Sequence, residues 1–307
     1  MPEEDKSPHN WRKILKICIQ VLFVAVVFFF FSRAIYLNWN KLHISLSSLN
    51  YPYLILALFM YGVSFVGYAF CWNETLKHLE KPLHPKRAVK VWMFSQAVRY
   101  VPGSVWQIFG RVYLGGKEGV SKGKVIASIG IETSLMIISS LILFIFSIPF
   151  SKNPLAAKLY WPYFIVAFAC LVFLHPAVFN KITNVFVHRI DKEYDFKLEM
   201  PFSDILKLLL YYSLVWIVLG VAFYATYGAF RPVTLAALPA FTGIFAVSWM
   251  LGFLFIVAPA GLGAREIVIA FLLTPYAGSV DAIVIAVLSR LLMIFGETFI
   301  LVISSRF

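Results

Sequence analysis

Acidic residues are scarce in this chain: 15 Asp and Glu stand against 27 Lys and Arg, for a formal net charge of +12. Cysteine is scarcer still, with Cys18, Cys71 and Cys170 each inside an apolar segment. No CxxC or Cys/His spacing occurs, which removes a disulfide framework and a zinc site from consideration; no metal and no cofactor is expected. The chain also lacks GxSxG, a P-loop and HExxH. No polar stretch is long enough for a separate catalytic domain, so the expectation is a protein that is not an enzyme. Period-two alternation, the mark of a membrane β-barrel, is missing as well.

What is present is apolar. Of 307 residues 61% are hydrophobic, and the mean hydropathy is +0.82. A water-soluble core cannot absorb that much apolar surface, so the fold class is an all-α, polytopic membrane protein forming one integral membrane domain over residues 1–307. The positive charge then reads as loop charge facing the cytoplasm, and not as a nucleic-acid surface. Six segments are long enough to cross a hydrocarbon core of about 30 Å: Ile14–Tyr36, Tyr51–Trp72, Val125–Phe150, Tyr160–Phe179, Ile205–Phe230 and Val280–Ser304. The first follows Arg12, Lys13 and Lys16, is too long for a signal h-region and lacks a small-x-small cleavage site, so it reads as a retained anchor.

Two further apolar regions are interrupted. Ala88–Leu114 is broken at Pro102-Gly103, and Leu235–Leu273 is broken at "APAGLGARE". The arms 88–98 and 104–114 would each reach only ~16 Å, half of a bilayer core. Proline removes a donor and glycine permits a turn, and such a break survives at membrane depth only inside protein or beside a water-filled cavity. Each region therefore reads as a re-entrant hairpin, although 235–257 is also long enough for a true span. Lysine and arginine crowd the N-terminus and the stretches 73–90, 115–124 and 180–207. The positive-inside rule puts these stretches, the N-terminus and the C-terminus in the cytoplasm. The two hairpins then enter from opposite sides, which makes 51–150 and 205–304 candidate inverted halves meeting at a central site.

Charges within apolar stretches need a partner, water or a function. Arg99 follows Gln96 by three residues and Arg111 follows Gln107 by four, so each pair shares a helix face. A helix restarting after Pro102-Gly103 offers free N–H groups, and a guanidinium fork matches phosphate oxygens. The plainer alternative is that both arginines snorkel to the interface or pair structurally. Glu132 lies on a polar stripe with Ser128 and Ser139; it either neutralises Arg111 or Arg265, or meets a cationic headgroup. Pro259, Gly261 and Gly263 with Arg265-Glu266 look like a second broken-helix anion site, or a tight loop with an ion pair. Arg290 and Glu297, seven apart, share a face of the last span with Ser304. Trp106 and Trp249 lie near the breaks, where they line a lipid path or simply pack. The run "HRIDKEYDFKLE" reads as a solvated loop.

"RYVPGSVWQIFGR", "GVSKGKVIASIGIE", "APAGLGAREIVIAFLL" and "SRLLMIFGE" together resemble the lysylphosphatidylglycerol synthase transmembrane family, the flippase-like domains found at the front of the bacterial multiple peptide resistance factor and as stand-alone proteins. The resemblance implies translocation of a phosphate-bearing lipid between leaflets of the cytoplasmic membrane. It places Arg99, Pro102, Gly103 and Arg111 in one half of the lipid site, and Pro259, Gly261, Gly263, Arg265 and Glu266 in the other. Thr133 stands where the family commonly has arginine after the glutamate, and Ala260 where a glycine is usual. The aminoacyl-transferring domain of the two-part proteins is missing, so the chain is not expected to make lysyl-lipid. The expected partner is an anionic or polyprenyl-phosphate lipid. Competing readings are a membrane enzyme acting on polyprenyl-phosphate sugars and an accessory subunit docking a cytoplasmic lipid-modifying enzyme through the basic loops; a homo-oligomer is also compatible.

Overall fold

The computed structural model describes residues 49–100, 106–152, 200–255 and 261–307, with isolated helical positions at Arg33, Ile165, Phe168, Ala169, Val172 and Val178. Pro102, Gly103, Pro259, the run 188–199 and, but for those isolated positions, the predicted spans Ile14–Tyr36 and Tyr160–Phe179 lie outside the described residues.

Among the described residues every regular element is helical: α1 Tyr51–Leu79, α2 Pro85–Ala97, α3 Trp106–Lys117, α4 Lys122–Ser147, α5 Phe202–Gly228, α6 Leu238–Leu254, α7 Ala264–Ala277 and α8 Ser279–Ser304. Proline opens α1, α2 and α6 within their first two positions, where its missing donor costs nothing. A 3₁₀ turn, Leu235–Ala237, leads into α6. Gly278, at φ 78°, is the single residue between α7 and α8. Among the described residues five elements are long and apolar enough to cross a membrane: α1, α4 with the turn after it, α5, Leu235–Leu254 and α8. Four match predicted spans. The fifth is the first arm of the second interrupted region, so that region is less symmetrical than the first.

Contacts at the helix ends give each element a direction. Asn50, before α1, donates its backbone N–H to Ala229 at the end of α5 (3.0 Å), and His78 near the end of α1 lies 3.7 Å from Asp204 at the start of α5. Glu80 accepts the Ser121 N–H at the start of α4 (3.0 Å), and Arg87 at the start of α2 pairs with Glu118 just after α3 (2.8 Å). Lys90 donates to the Phe307 carbonyl beyond α8 (2.9 Å). The ends from His78 to Phe307 make one basic end of the bundle, and the Asn50–Ala229 contact lies at the other. At the far end, Tyr227 of α5 donates to the Tyr276 carbonyl near the end of α7 (3.0 Å), its ring is 4.9 Å from Phe241 in the first turn of α6, and Arg231 pairs with Asp281 at the start of α8. The pair α2/α3 thus leaves and returns at the basic end, and α6/α7 at the far end. The order span, hairpin, span occurs twice, in opposite directions.

The core is aromatic. Trp72, Trp216, Tyr61, Tyr212, Phe223, Phe241 and Phe245 are fully buried. Their polar atoms are met by small hydroxyls on neighbouring helices: Trp72 donates to Ser128 (2.9 Å), Trp216 to Ser139 (3.0 Å), and Tyr61 lies 3.4 Å from Thr226. In lipid an orphaned donor finds no water, which explains why serines recur on the bundle-facing stripe of α4. Ile55, Phe59, Phe146 and Phe299 point outward, over 60% exposed each, as lipid-facing residues do.

Close helix approach rests on small residues. A methyl at Gly220 of α5 would stand 2.8 Å from the Thr242 Cα of α6 and overlap its side chain. Gly220→Ala should therefore push α5 and α6 apart and cost about 1–3 kcal/mol. A fall in the thermal midpoint of the detergent-purified protein checks this, with Gly116→Ala, which meets nothing within 4 Å, as the neutral reference.

Candidate functional site

Each hairpin delivers charge to the middle of the bundle. At the end of α2 the chain tightens into a 3₁₀ turn, Val98–Tyr100, just before the Pro102-Gly103 break. Arg99 on that turn donates to Gln96 (3.3 Å), as their shared face implied, and to Glu297 of α8 (2.5 Å). Arg111 of α3 does not bond Gln107. Its Nε donates to Ser95 of α2 (3.0 Å), its Nη1 pairs with Glu132 of α4, and its guanidinium lies over the rings of Trp72 and Trp92, at 5.3 and 5.5 Å. At 3% exposure it is buried, and snorkelling is ruled out. Both oxygens of Glu132 are engaged: one takes Arg111 and the other accepts the Trp92 indole N–H at 2.7 Å. Of its two expected partners, Arg111 is the one it meets.

The second elbow restarts at Gly261 (φ 65°) and Gly263 (φ 87°), both in the left-handed region that favours glycine. Its start fits tightly against α6, since a Cβ on Gly252 would lie 3.1 Å from that of Arg265. Neighbouring residues on a helix point apart, so Arg265 and Glu266 do not pair with each other. Glu266 turns back to accept the Gly263 N–H (2.7 Å), which caps α7, and its other oxygen is 3.8 Å from Arg290 Nε. Arg265 lies over the Phe245 ring (4.3 Å) with Nη1 3.4 Å from the Met293 sulfur. It has no carboxylate within ion-pair distance among the described residues. Arg290 and Glu297, which share a face of the last span, divide their work: α8 gives Arg290 to the second hairpin and Glu297 to the first. Ser304 bonds its own helix at Leu301 and takes no part.

A cavity of about 640 Å³ lies between the two elbows, a volume typical of ligand pockets. Arg99, Arg111, Arg265 and Arg290 all line it, with Glu132 as the sole lining carboxylate among the described residues. Trp249 lines it too and packs edge-on to Trp216 (5.2 Å), whereas Trp106 is half exposed on the outside of α3. Among the described residues no cluster of His, Cys, Asp or Glu could hold a metal. The family model described as the lysylphosphatidylglycerol synthase TM region matches residues 17–300. The chain belongs to this family. A comparison with curated proteins finds no match. Members of the lysylphosphatidylglycerol synthase TM family are multi-pass membrane domains associated with lipid handling. The match includes every charged residue at the cavity.

Residue-by-residue reading of the chain did not find Tyr68, Trp92, Ser95, Gly252 or Met293. Trp92 had a signal: with Gln96 and Arg99 it forms an i, i+4, i+7 stripe that faces the cavity. Tyr68 and Met293 had none, since each is one apolar-looking residue in a long apolar run.

Proposed function

We propose that the chain binds the phosphate of a membrane lipid between its two elbows and carries the headgroup from one leaflet of the cytoplasmic membrane to the other. One observation carries this: a single cavity receives arginines from both oppositely directed hairpins, with α8 bridging them. With 13 and 12 residues, α2 and α3 reach only about 20 and 18 Å, short of a hydrocarbon core of about 30 Å. In this reading they are re-entrant from the basic end, which faces the cytoplasm by the positive-inside rule. The α6/α7 pair is re-entrant from the far end. The longer α6 overshoots its partner, because α7 packs back at Gly252 and leaves Phe253, Leu254 and Phe255 as an apolar lip. The two span–hairpin–span units, 51–150 and 205–304, then act as inverted halves around a central site.

The rim of the cavity supports lateral entry. Exposed Ile126 and Gly130 of α4 line it together with Phe253 and Leu254, and a Cβ at Gly130 would meet nothing within 4 Å. Acyl chains would remain in the bilayer while the headgroup slides past this opening, down a concentration gradient or coupled to an ion. The engaged state of Glu132 favours holding charge over general acid–base chemistry.

Reconstitution tests the proposal. In proteoliposomes carrying a headgroup-labelled phospholipid, the wild type should speed exchange between leaflets. Arg99→Ala with Arg265→Ala, one from each hairpin, should lower that rate at least tenfold. Equal rates for wild type and double variant would remove the proposal.

A further inference from the structure

Charge bookkeeping around the cavity narrows the kind of lipid, and this step rests on the lipid-binding reading above. Arg265 is 4% exposed and lines the cavity, and among the described residues its guanidinium meets a ring and a thioether. Its electrostatic neighbours include two like charges, Arg290 and Arg99, against Glu266. A guanidinium held there without an oxygen acceptor is an unfavourable arrangement until an anion arrives. A second donor is close by: the Tyr68 side chain, 4% exposed, lines the cavity, and its buried hydroxyl has no hydrogen-bond partner among the described residues. The carboxylates are committed. Glu132 has both oxygens taken by Trp92 and Arg111, and Glu266 and Glu297 are drawn to Gly263, Arg290 and Arg99 and do not line the cavity.

We propose that Arg265 and Tyr68 form the phosphate subsite of this cavity and that the cavity accepts lipids whose headgroup beyond the phosphate is anionic or uncharged, and rejects those bearing an ammonium. A phosphate monoester, or a phosphodiester of a polyol, brings the negative charge that Arg265 lacks. An aminoacyl, ethanolamine or choline headgroup brings a cation into a wall of four arginines whose one lining carboxylate among the described residues, Glu132, is already engaged, and like charges close together discriminate strongly. The preferred lipid thus differs from the lysylated one in the family's description.

Trp92 and Trp249 line the cavity, so tryptophan fluorescence of the full chain in phosphatidylcholine nanodiscs can report occupancy. Titration with phosphatidylglycerol or phosphatidic acid should half-saturate at least tenfold earlier than titration with lysyl-phosphatidylglycerol or phosphatidylethanolamine. Arg265→Gln should abolish that gap, Arg265→Lys should keep part of it, and Tyr68→Phe should weaken the anionic lipids severalfold. Arg265→Gln should also melt no lower than wild type, because it removes an uncompensated charge. Should it fail to fold, the Tyr68→Phe titration decides alone. Lysyl-phosphatidylglycerol binding as well as phosphatidylglycerol would overturn the proposal, as would a gap that persists in Arg265→Gln. Saturation by soluble glycerol 3-phosphate at the same concentration would also overturn it, in favour of a free phosphate ligand. The two readings fail separately. Selective binding without leaflet exchange defeats only the transport reading, and arginine-dependent exchange of cationic and anionic lipids alike defeats only the selectivity.

Discussion

Glu132→Ala should be the most damaging single substitution at the site. Arg111 is almost completely buried, between the faces of Trp72 and Trp92, and Glu132 is its only carboxylate partner among the described residues. Removing the carboxylate strands a guanidinium in the bundle, which costs about 3–5 kcal/mol. It also orphans the Trp92 indole donor, a further loss of about 1–3 kcal/mol. Against a total stability of about 5–15 kcal/mol the variant should unfold at a markedly lower temperature or fail to accumulate. The pair as a unit is a different matter. Arg111→Met with Glu132→Leu replaces both charges by apolar groups of similar length, and such replacements are often neutral or stabilising. The double variant should recover most of the lost melting temperature while losing a wall of the cavity. A single Glu132→Ala variant that melts within a degree or two of wild type would show that the pair is not buried as described.

The second large effect belongs to Gly261. Its φ of 65° favours glycine, and a Cβ there would lie 2.8 Å from the carbonyl oxygen and 2.9 Å from the carbonyl carbon of Gly252. Both are backbone atoms, so no side chain can turn aside. Gly261→Ala combines left-handed strain of about 1–3 kcal/mol with a steric clash that only moving the elbow can relieve. The elbow carries Arg265, so leaflet exchange should fall at least tenfold. The clash is with the α6 backbone at Gly252, away from the α1–α5 contact that anchors the core, and the fold should survive. Gly278→Ala separates the two causes: φ is 78° there but a Cβ meets nothing within 4 Å. That variant should show a modest drop in melting temperature and near-normal exchange, and similar exchange defects in both variants would contradict the steric account.

Much of the fold was legible along the chain. Long apolar runs dictate helices, because a lipid-exposed backbone must satisfy its own hydrogen bonds, and four predicted spans coincide with α1, α4, α5 and α8 to within a few residues apart from the longer C-terminal end of α1. The glycines of the second break were legible too, and Gly261 and Gly263 take left-handed φ there. In the first hairpin α2 starts three residues earlier than the expected arm, at Pro85, and α3 ends three residues later, at Lys117. The length of α6 was left open: hydropathy cannot tell a full crossing from an arm that overshoots its partner, and Leu235–Leu254 is itself long and apolar enough to cross.

The sequence by itself determined that buried charges exist and which helices carry them: ionisable residues in apolar runs are unmistakable in composition. Only the tertiary structure decided who meets whom. Arg111 takes Glu132, Arg99 takes Glu297, and Glu266 turns to Gly263 and Arg290, which leaves Arg265 as the guanidinium facing the cavity without an oxygen partner among the described residues. Helix periodicity sets which residues share a face of one helix. It says nothing about which faces of two antiparallel hairpins and a shared span are pressed together, and ion pairing between distant helices depends on that packing alone.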